Sequence, residues 1–107
     1  MFTDGAITMY VVMNRVMLKS GWEDKFEARF RKRSGEIDKV PGFVSMQVLK
    51  PESEGAPFIV LTHWQDSAAF EAWVHSEDFK QAHQNPMPKE AFSAGGGLEQ
   101  FTVVVSS

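Results

Sequence analysis

The chain contains no cysteine, and this absence excludes disulfide bonds, thiolate metal sites and thiol nucleophiles together. It also lacks an excess of basic residues. The formal net charge is −3, which argues against nucleic acid as the main partner. No apolar stretch approaches the roughly 20 residues that span a bilayer, and the first residues do not resemble a signal peptide. These absences predict a soluble, cytoplasmic protein.

The length of the chain limits the number of domains. With 107 residues, 43% of them hydrophobic, the sequence is long enough for one domain and too short for two. We therefore expect residues 1–107 to form a single domain. A domain of this size buries only part of the surface of its unfolded chain, so pairing with a second copy is a natural way to bury more.

Two periodicities alternate along the chain. Runs of apolar and β-branched residues predict four strands, at residues 7–18, 43–50, 58–65 and 98–105. The i, i+4, i+8 spacing of Trp22, Phe26 and Phe30 predicts an amphipathic helix over residues 21–38. Ser20 and Glu23 fit a capping box at its start.

The second helical segment is predicted to be interrupted. Asp66 can cap a helix that carries Phe70 and Trp73 inward. Ser76 is expected to cap a further turn after a break in that helix. A loop rich in Gly and Pro follows at residues 85–97, and long loops of this composition often act as lids.

The order β-α-β-β-α-β is that of the ferredoxin-like split unit, an α+β fold. Both helices cover one face of its four-stranded sheet. The first strand is apolar on both sides, so its other side, with Met9, Val11 and Met13, needs cover of its own. We therefore expect a two-fold homodimer in which sheet packs on sheet as a dimeric α/β barrel.

Of the three histidines, His83 is the strongest candidate for ligand binding. It lies near the end of a helix without a second ligand three or four residues away, so it cannot hold a bare zinc ion. A single histidine is sufficient for haem iron, because the porphyrin supplies four nitrogens. The alternative is a surface histidine at a helix C-terminus. For His63 and His75 we expect structural roles, since neither has an obvious chemical partner.

Two further residues have both a structural and a functional interpretation. Trp73 is either helix core, since aromatic side chains dominate core burial, or a wall of a ligand site shared with His83. Asn14 lies among apolar residues of the first strand, where asparagine is disfavoured. It therefore either hydrogen-bonds a neighbouring element or faces a ligand. The basic face at residues 29–33 is expected to be solvated, with one or two members able to pair with an anionic ligand.

Several motifs together resemble one family. They are NRVML with Asn14, ARFRKR, VPGFVSMQVLKP, VLTHW, and FEAWVHSEDFKQAH with Trp73 and His83. This set is similar to the Isd-type haem-degrading monooxygenases of the antibiotic biosynthesis monooxygenase superfamily, over about residues 8–105. PGF, THW and FEAW resemble the superfamily as a whole, whereas the order and spacing of Asn, Trp and His resemble the haem-degrading branch.

The resemblance implies catalytic and haem-binding roles for three residues. His83 resembles the axial ligand of the haem iron, and so the metal ligand of the site. Trp73 resembles the tryptophan that presses on the porphyrin and holds it out of plane. Asn14 resembles the asparagine whose side-chain amide lies on the distal side, near bound oxygen.

The resemblance also implies a reaction in which haem is both substrate and cofactor. An external electron donor, either a reductant or a reductase, would reduce the iron, and O2 would then bind. The porphyrin would be oxidised at a meso carbon, so that the ring opens and iron is released. The implied partners are haem, this donor and a second copy of the chain.

Two other functions fit the same residues. One is a cofactor-free monooxygenase of the same superfamily acting on a quinol-like or polyketide aromatic substrate, with Asn14 and Trp73 facing that ligand. The other is a non-catalytic module that binds haem without degrading it. Absence of haem binding would distinguish the cofactor-free monooxygenase from the other two functions. Absence of turnover with a reductant would distinguish the haem-binding module from the haem-degrading enzyme.

Overall fold

The computed structural model describes residues 9–33, 36–84 and 86–107. Its strands are β1 (Tyr10–Val16), β2 (Phe43–Leu49), β3 (Phe58–Trp64) and β4 (Gly97–Thr102). Its helices are α1 (Glu23–Arg33), α2 (Ser67–Val74) and α3 (Glu77–Ala82), with short 3-10 helices at Ile37–Lys39 and Lys89–Ala91. The strands form one antiparallel sheet in the order β2-β3-β1-β4, which confirms the predicted ferredoxin-like fold.

The two longer helices are anchored at opposite ends of one sheet face. At one end, Phe26 of α1 packs on Phe58 of β3, with ring centroids 5.2 Å apart. At the other end, Phe70 of α2 packs on the fully buried Trp64, with centroids 5.7 Å apart. The middle of this sheet face therefore lies between two aromatic contacts and is covered by neither.

The break in the second helical segment is confirmed, and side-chain caps explain it. An Asp66 carboxylate oxygen accepts a hydrogen bond from the Ala69 amide at 2.9 Å and begins α2. The Ser76 hydroxyl oxygen accepts from the Phe79 amide at 3.1 Å and begins α3. The same hydroxyl donates to the Trp73 carbonyl at 2.6 Å, so Ser76 ties the end of α2 to the start of α3.

The predicted bounds of the first helix are wrong at both ends. Gly21 has a φ of 94°, a left-handed conformation that a helix cannot contain, so α1 begins only at Glu23. The Glu23 carboxylate accepts from the Gly21 amide at 2.9 Å, and Ser20 is not the cap. Ile37 belongs to a separate 3-10 helix, which ends at Val40 because the residue before Pro41 is extended. Residues 34–35 of the predicted helix lie outside the described residues.

The lid role suggested for residues 85–97 stays a prediction, and the described part of this loop is bonded to the chain that follows β1. Ala91 is fully buried, its carbonyl accepts from the Lys19 amide at 2.8 Å, and the Ser93 amide donates to the Met17 carbonyl at 2.9 Å. Phe92 also forms a β-bridge with Leu18. These bonds fasten the loop to the chain that follows β1. Residue 85 lies outside the described residues, as do residues 7–8 of the predicted first strand.

The sheet face turned away from the helices is apolar along its centre. Val11 and Met13 of β1 are half-buried, and the register places Phe101 beside Val11 and Leu61 beside Met13. Phe101 is exposed in the single chain, as is Leu49 at the same face. The sheet-to-sheet homodimer stays a prediction.

Candidate functional site

The main cavity lies over the uncovered middle of the sheet and has a volume of about 720 Å³. Its floor comes from two adjacent rows of inward-facing residues in the strand register. These floor residues are Val12, Asn14, Met46, Val60, Thr62 and Leu98. The walls come from the α1 side, with Phe30, Arg33 and Ile37, and from the α2–α3 side, with Trp73, Phe79 and His83. The structure thus brings Asn14, Trp73 and His83 to one cavity.

His83 is the C-cap residue of α3, and its ring is held in place by Phe79. The two rings are stacked with centroids 4.0 Å apart, and Nδ1 of His83 lies 2.8 Å from the Phe79 carbonyl oxygen. A carbonyl can only accept a hydrogen bond, so Nδ1 carries the proton and donates it. In the neutral imidazole, Nε2 then has the lone pair that a metal ligand needs.

Trp73 is both a core residue and a wall of the cavity. It is half-buried and packs against the cluster formed by Val12, Trp64 and Phe70, as the structural interpretation predicts. It also lines the cavity and makes an edge-to-face contact with Phe79 at 5.4 Å. Together with the stacking of Phe79 on His83, this contact forms a continuous aromatic wall of Trp73, Phe79 and His83.

Asn14 is exposed to the cavity, contrary to the expectation of a buried amide. It lies on β1 between Val60 of β3 and Leu98 of β4. Within residues 9–33, 36–84 and 86–107, its side chain makes no hydrogen bond. A satisfied bond to a neighbouring element is therefore not seen there, and the amide is available to a ligand.

Arg33 gives the α1 wall a positive charge, although residues 29–33 were expected to be solvated. It is half-buried and lines the cavity together with Lys39. Burial lowers the pKa of the Arg33 guanidinium, the charge of Arg29 acts in the same direction, and Glu36 opposes both. The described residues form no ion pair with Arg33. A desolvated cation of this kind favours an anionic partner.

The other two histidines lie outside the main cavity. His63 is on the opposite sheet face, where its Nδ1 is 3.2 Å from the Ser45 hydroxyl oxygen. His75 is the exposed C-cap residue of α2, with Nε2 3.7 Å from a Glu71 carboxylate oxygen. These positions agree with the structural roles expected for both.

Sequence reasoning missed two residues of the site, Phe79 and Thr62. A signal existed for Phe79, because residues four apart on a helix are neighbours and Phe79 precedes His83 by four. Thr62 had a weaker signal, since it shares a strand face with Val60 and Trp64. Across the described ranges, no three or more His, Cys, Asp or Glu side chains are grouped to hold a metal ion. No helix in the same ranges is long and apolar enough to cross a membrane.

Comparison with known proteins assigns the chain to a class. The family model for antibiotic biosynthesis monooxygenases matches residues 9–85. A heme oxygenase (staphylobilin-producing) of Staphylococcus haemolyticus (strain JCSC1435) is 40% identical over 79 residues, which cover 72% of this chain and 75% of that protein. A heme-degrading monooxygenase of Shouchella clausii (strain KSM-K16) is 31% identical over 99 residues, which cover 91% of this chain and 92% of that protein.

A solved structure agrees with these relatives. The heme-degrader MhuD from Mycobacterium tuberculosis, with two hemes bound in its active site, matches with a TM-score of 0.77 at 28% identity. The match covers 92% of this chain and 98% of that chain. The chain therefore belongs to the antibiotic biosynthesis monooxygenase family. Within it, the chain is a member of the Isd-type haem-degrading branch, so the resemblance seen in the sequence is confirmed, as is the prediction of an oxidoreductase.

Proposed function

We propose that this chain binds haem in the main cavity through Nε2 of His83 and degrades it oxidatively, opening the porphyrin and releasing iron. The observation that carries the proposal is the convergence of Asn14, Trp73 and His83 on one cavity. The hydrogen bond between Nδ1 of His83 and the Phe79 carbonyl supports it further, because it leaves the other ring nitrogen available for iron.

The cavity is suited to haem in size and in lining. Its volume of about 720 Å³ is within the roughly 300–1,000 Å³ usual for ligand and cofactor sites. Its floor is mainly apolar, as a porphyrin ring requires, and it offers one imidazole. One protein ligand is enough, because the macrocycle supplies the other four nitrogens. Bound haem supplies the redox and O2 chemistry, and an external electron donor is part of the proposal.

The three predicted residues then have distinct tasks. His83 binds the iron, and its hydrogen bond to the Phe79 carbonyl fixes the orientation of the ring. Trp73 presents a rigid indole at the wall, where it restricts the plane that a flat ligand can adopt. Asn14 would offer an amide hydrogen-bond donor from the floor, at the site where haem would supply the O2 chemistry. His83 belongs to the α2–α3 wall and Asn14 to the floor, so the two side chains approach the cavity from different sides.

We also propose that Arg33 and Lys39 recognise the two carboxylates of haem. Both line the cavity, and a guanidinium pairs well with a carboxylate in a site with little water. The glutamine side chains of α3 and of the residues after it, Gln81 and Gln84, line the facing wall. The carboxylate end of the ligand would therefore lie at a polar rim, with its apolar body over the sheet.

The remaining sequence predictions belong to this proposal. A homodimer would bury the apolar outer face of the sheet around Val11 and Phe101. The single domain at residues 1–107 and the cytoplasmic location also stay predictions. Gel filtration tests the homodimer, and cell fractionation tests the cytoplasmic location.

The experiment is a titration of haemin into the purified protein, followed by ascorbate under air. We expect a saturable Soret band, its loss after ascorbate, and the appearance of chelatable iron. A Soret band that survives ascorbate would indicate a haem-binding module. No saturable binding at all would favour the cofactor-free monooxygenase.

A further inference from the structure

Thr62 is the second polar side chain on the cavity floor, and unlike Asn14 it is buried. Only 8% of its surface is exposed, and the register places it between Val12 of β1 and Met46 of β2. It nevertheless lines the cavity. A hydroxyl group in such an apolar setting needs both an acceptor for its proton and a donor to its oxygen.

Trp64 supplies the donor and fixes the hydroxyl in place. Its indole Nε1 donates to Thr62 Oγ1 at 2.9 Å. The indole cannot move easily, because Trp64 is fully buried and in edge-to-face contact with Phe43 and Phe70. An indole N–H never accepts, so the Thr62 oxygen is the acceptor in this pair and its proton is left for another partner.

That proton has no acceptor in the described part of the chain, where the bond from Trp64 is the one hydrogen bond of the Thr62 side chain. Because Thr62 is buried, the missing acceptor for its hydroxyl proton costs free energy, since bulk water does not replace the unmade hydrogen bond. A group bound in the cavity is the remaining place for an acceptor.

We propose that the Thr62 hydroxyl donates this proton to a small ligand held on the sheet side of the bound haem, and that it acts there together with Asn14. This inference rests on the proposed function. Asn14 lies opposite Val60, and Thr62 follows Val60 by two residues on the same face. Side chains in this diagonal relation lie within roughly 7–8 Å of each other, so both can reach one small ligand. Thr62 is thus a third polar residue of the site, aimed by Trp64.

Cyanide bound to the ferric haem complex is the probe, because its nitrogen accepts hydrogen bonds and its affinity can be measured without turnover. Thr62→Val removes the hydroxyl and keeps a β-branched side chain. We expect it to give a saturable haem complex and to raise the Kd of that ferric complex for cyanide about threefold to tenfold, the effect of one neutral hydrogen bond. Thr62→Ser keeps the hydroxyl and should remain near the wild-type value.

Thr62→Val also removes the acceptor of Trp64, so circular dichroism must show that the variant is folded. If it is not, Thr62→Cys replaces it, since a thiol is a weak acceptor for the indole and a weak donor; the same rise in Kd is expected. Wild-type cyanide affinity in the folded variant would overturn the role of Thr62 while haem degradation by the wild type still stood. A wild-type protein that bound no haem would overturn both proposals.

Discussion

The Phe79 carbonyl oxygen accepts a hydrogen bond from Nδ1 of His83 at 2.8 Å, and the two rings are stacked 4.0 Å apart. Both contacts follow from the i, i+4 relation of these residues on α3. They restrict the imidazole to one tautomer and one orientation. Because Ser76 begins α3 and is bonded to the end of α2, this orientation is set relative to Trp73 as well.

Asn14→Ala should slow haem degradation far more than it weakens haem binding. Affinity depends mainly on the iron bond and the burial of the ring, whereas the amide acts on oxygen bound during turnover. We expect a Kd within about twofold of wild type and a rate lower by about tenfold or more. The measurement is ascorbate-driven loss of the Soret band. Gln65→Ala, an exposed amide outside the cavity, is the control, and equal rates in all three proteins would remove Asn14 from the mechanism.

Arg33→Gln should weaken binding through the carboxylates of the ligand. A lost charge-assisted bond at a half-exposed site corresponds to a rise in Kd of roughly threefold to tenfold. Haem dimethyl ester is the discriminating ligand, because it lacks the carboxylate charges. The difference in Kd between haem and its ester should be clear in the wild type and reduced in Arg33→Gln, where Lys39 still faces the carboxylates. Lys32→Gln, exposed and outside the cavity, should behave as the wild type; an unchanged difference in Arg33→Gln would refute the contact.

Val11→Asp should produce monomers or aggregates. The substitution places a charge in the centre of the apolar outer face of the sheet, where a partner sheet could not solvate it. Sedimentation velocity measures the outcome, and Ala68→Asp on the exposed side of α2 is the control for an added carboxylate. A wild-type chain that sediments as a stable, well-folded monomer contradicts the proposed dimer.

Glu27→Gln should lower thermal stability at neutral pH and have no effect in acid. The Lys50 ammonium, 3.2 Å from Oε2, lowers the pKa of the Glu27 carboxyl. Burial opposes this shift, and the Arg31 guanidinium, 3.2 Å from Oε1, supports it. A carboxyl whose pKa is lower in the folded state than in the unfolded state stabilises the protein at pH values above its unfolded pKa. This stabilisation is lost as the pH falls through the folded-state pKa. The Tm difference between wild type and variant should therefore shrink as the pH falls below the ordinary glutamate pKa of about 4.3 and vanish once the Glu27 carboxyl is protonated in the folded protein. Glu52→Gln, with no ion pair in the described ranges, should show no such pH dependence.

The sequence predicts those parts of the fold that depend on local pattern. Strand alternation places all four strands to within a few residues, and the caps Asp66 and Ser76 locate the break between α2 and α3 because each needs only a nearby amide. The cavity is different, since it exists because Phe26 and Phe70 anchor their helices at opposite ends of the sheet. That arrangement exposes Asn14, partly buries Arg33 and leaves the Thr62 hydroxyl without an acceptor in the described residues. No local sequence pattern predicts it.

The most direct test compares His83→Ala with His63→Ala and His75→Ala in the haemin titration. We expect that, of the three variants, only His83→Ala loses both the spectrum of imidazole-ligated haem and the ascorbate-driven loss of the Soret band. The other two variants should keep both, since His63 lies on the opposite sheet face and His75 at the exposed end of α2. A His83→Ala protein that retained the imidazole-ligated spectrum and degraded haem at the wild-type rate would contradict the role of His83 as the iron ligand.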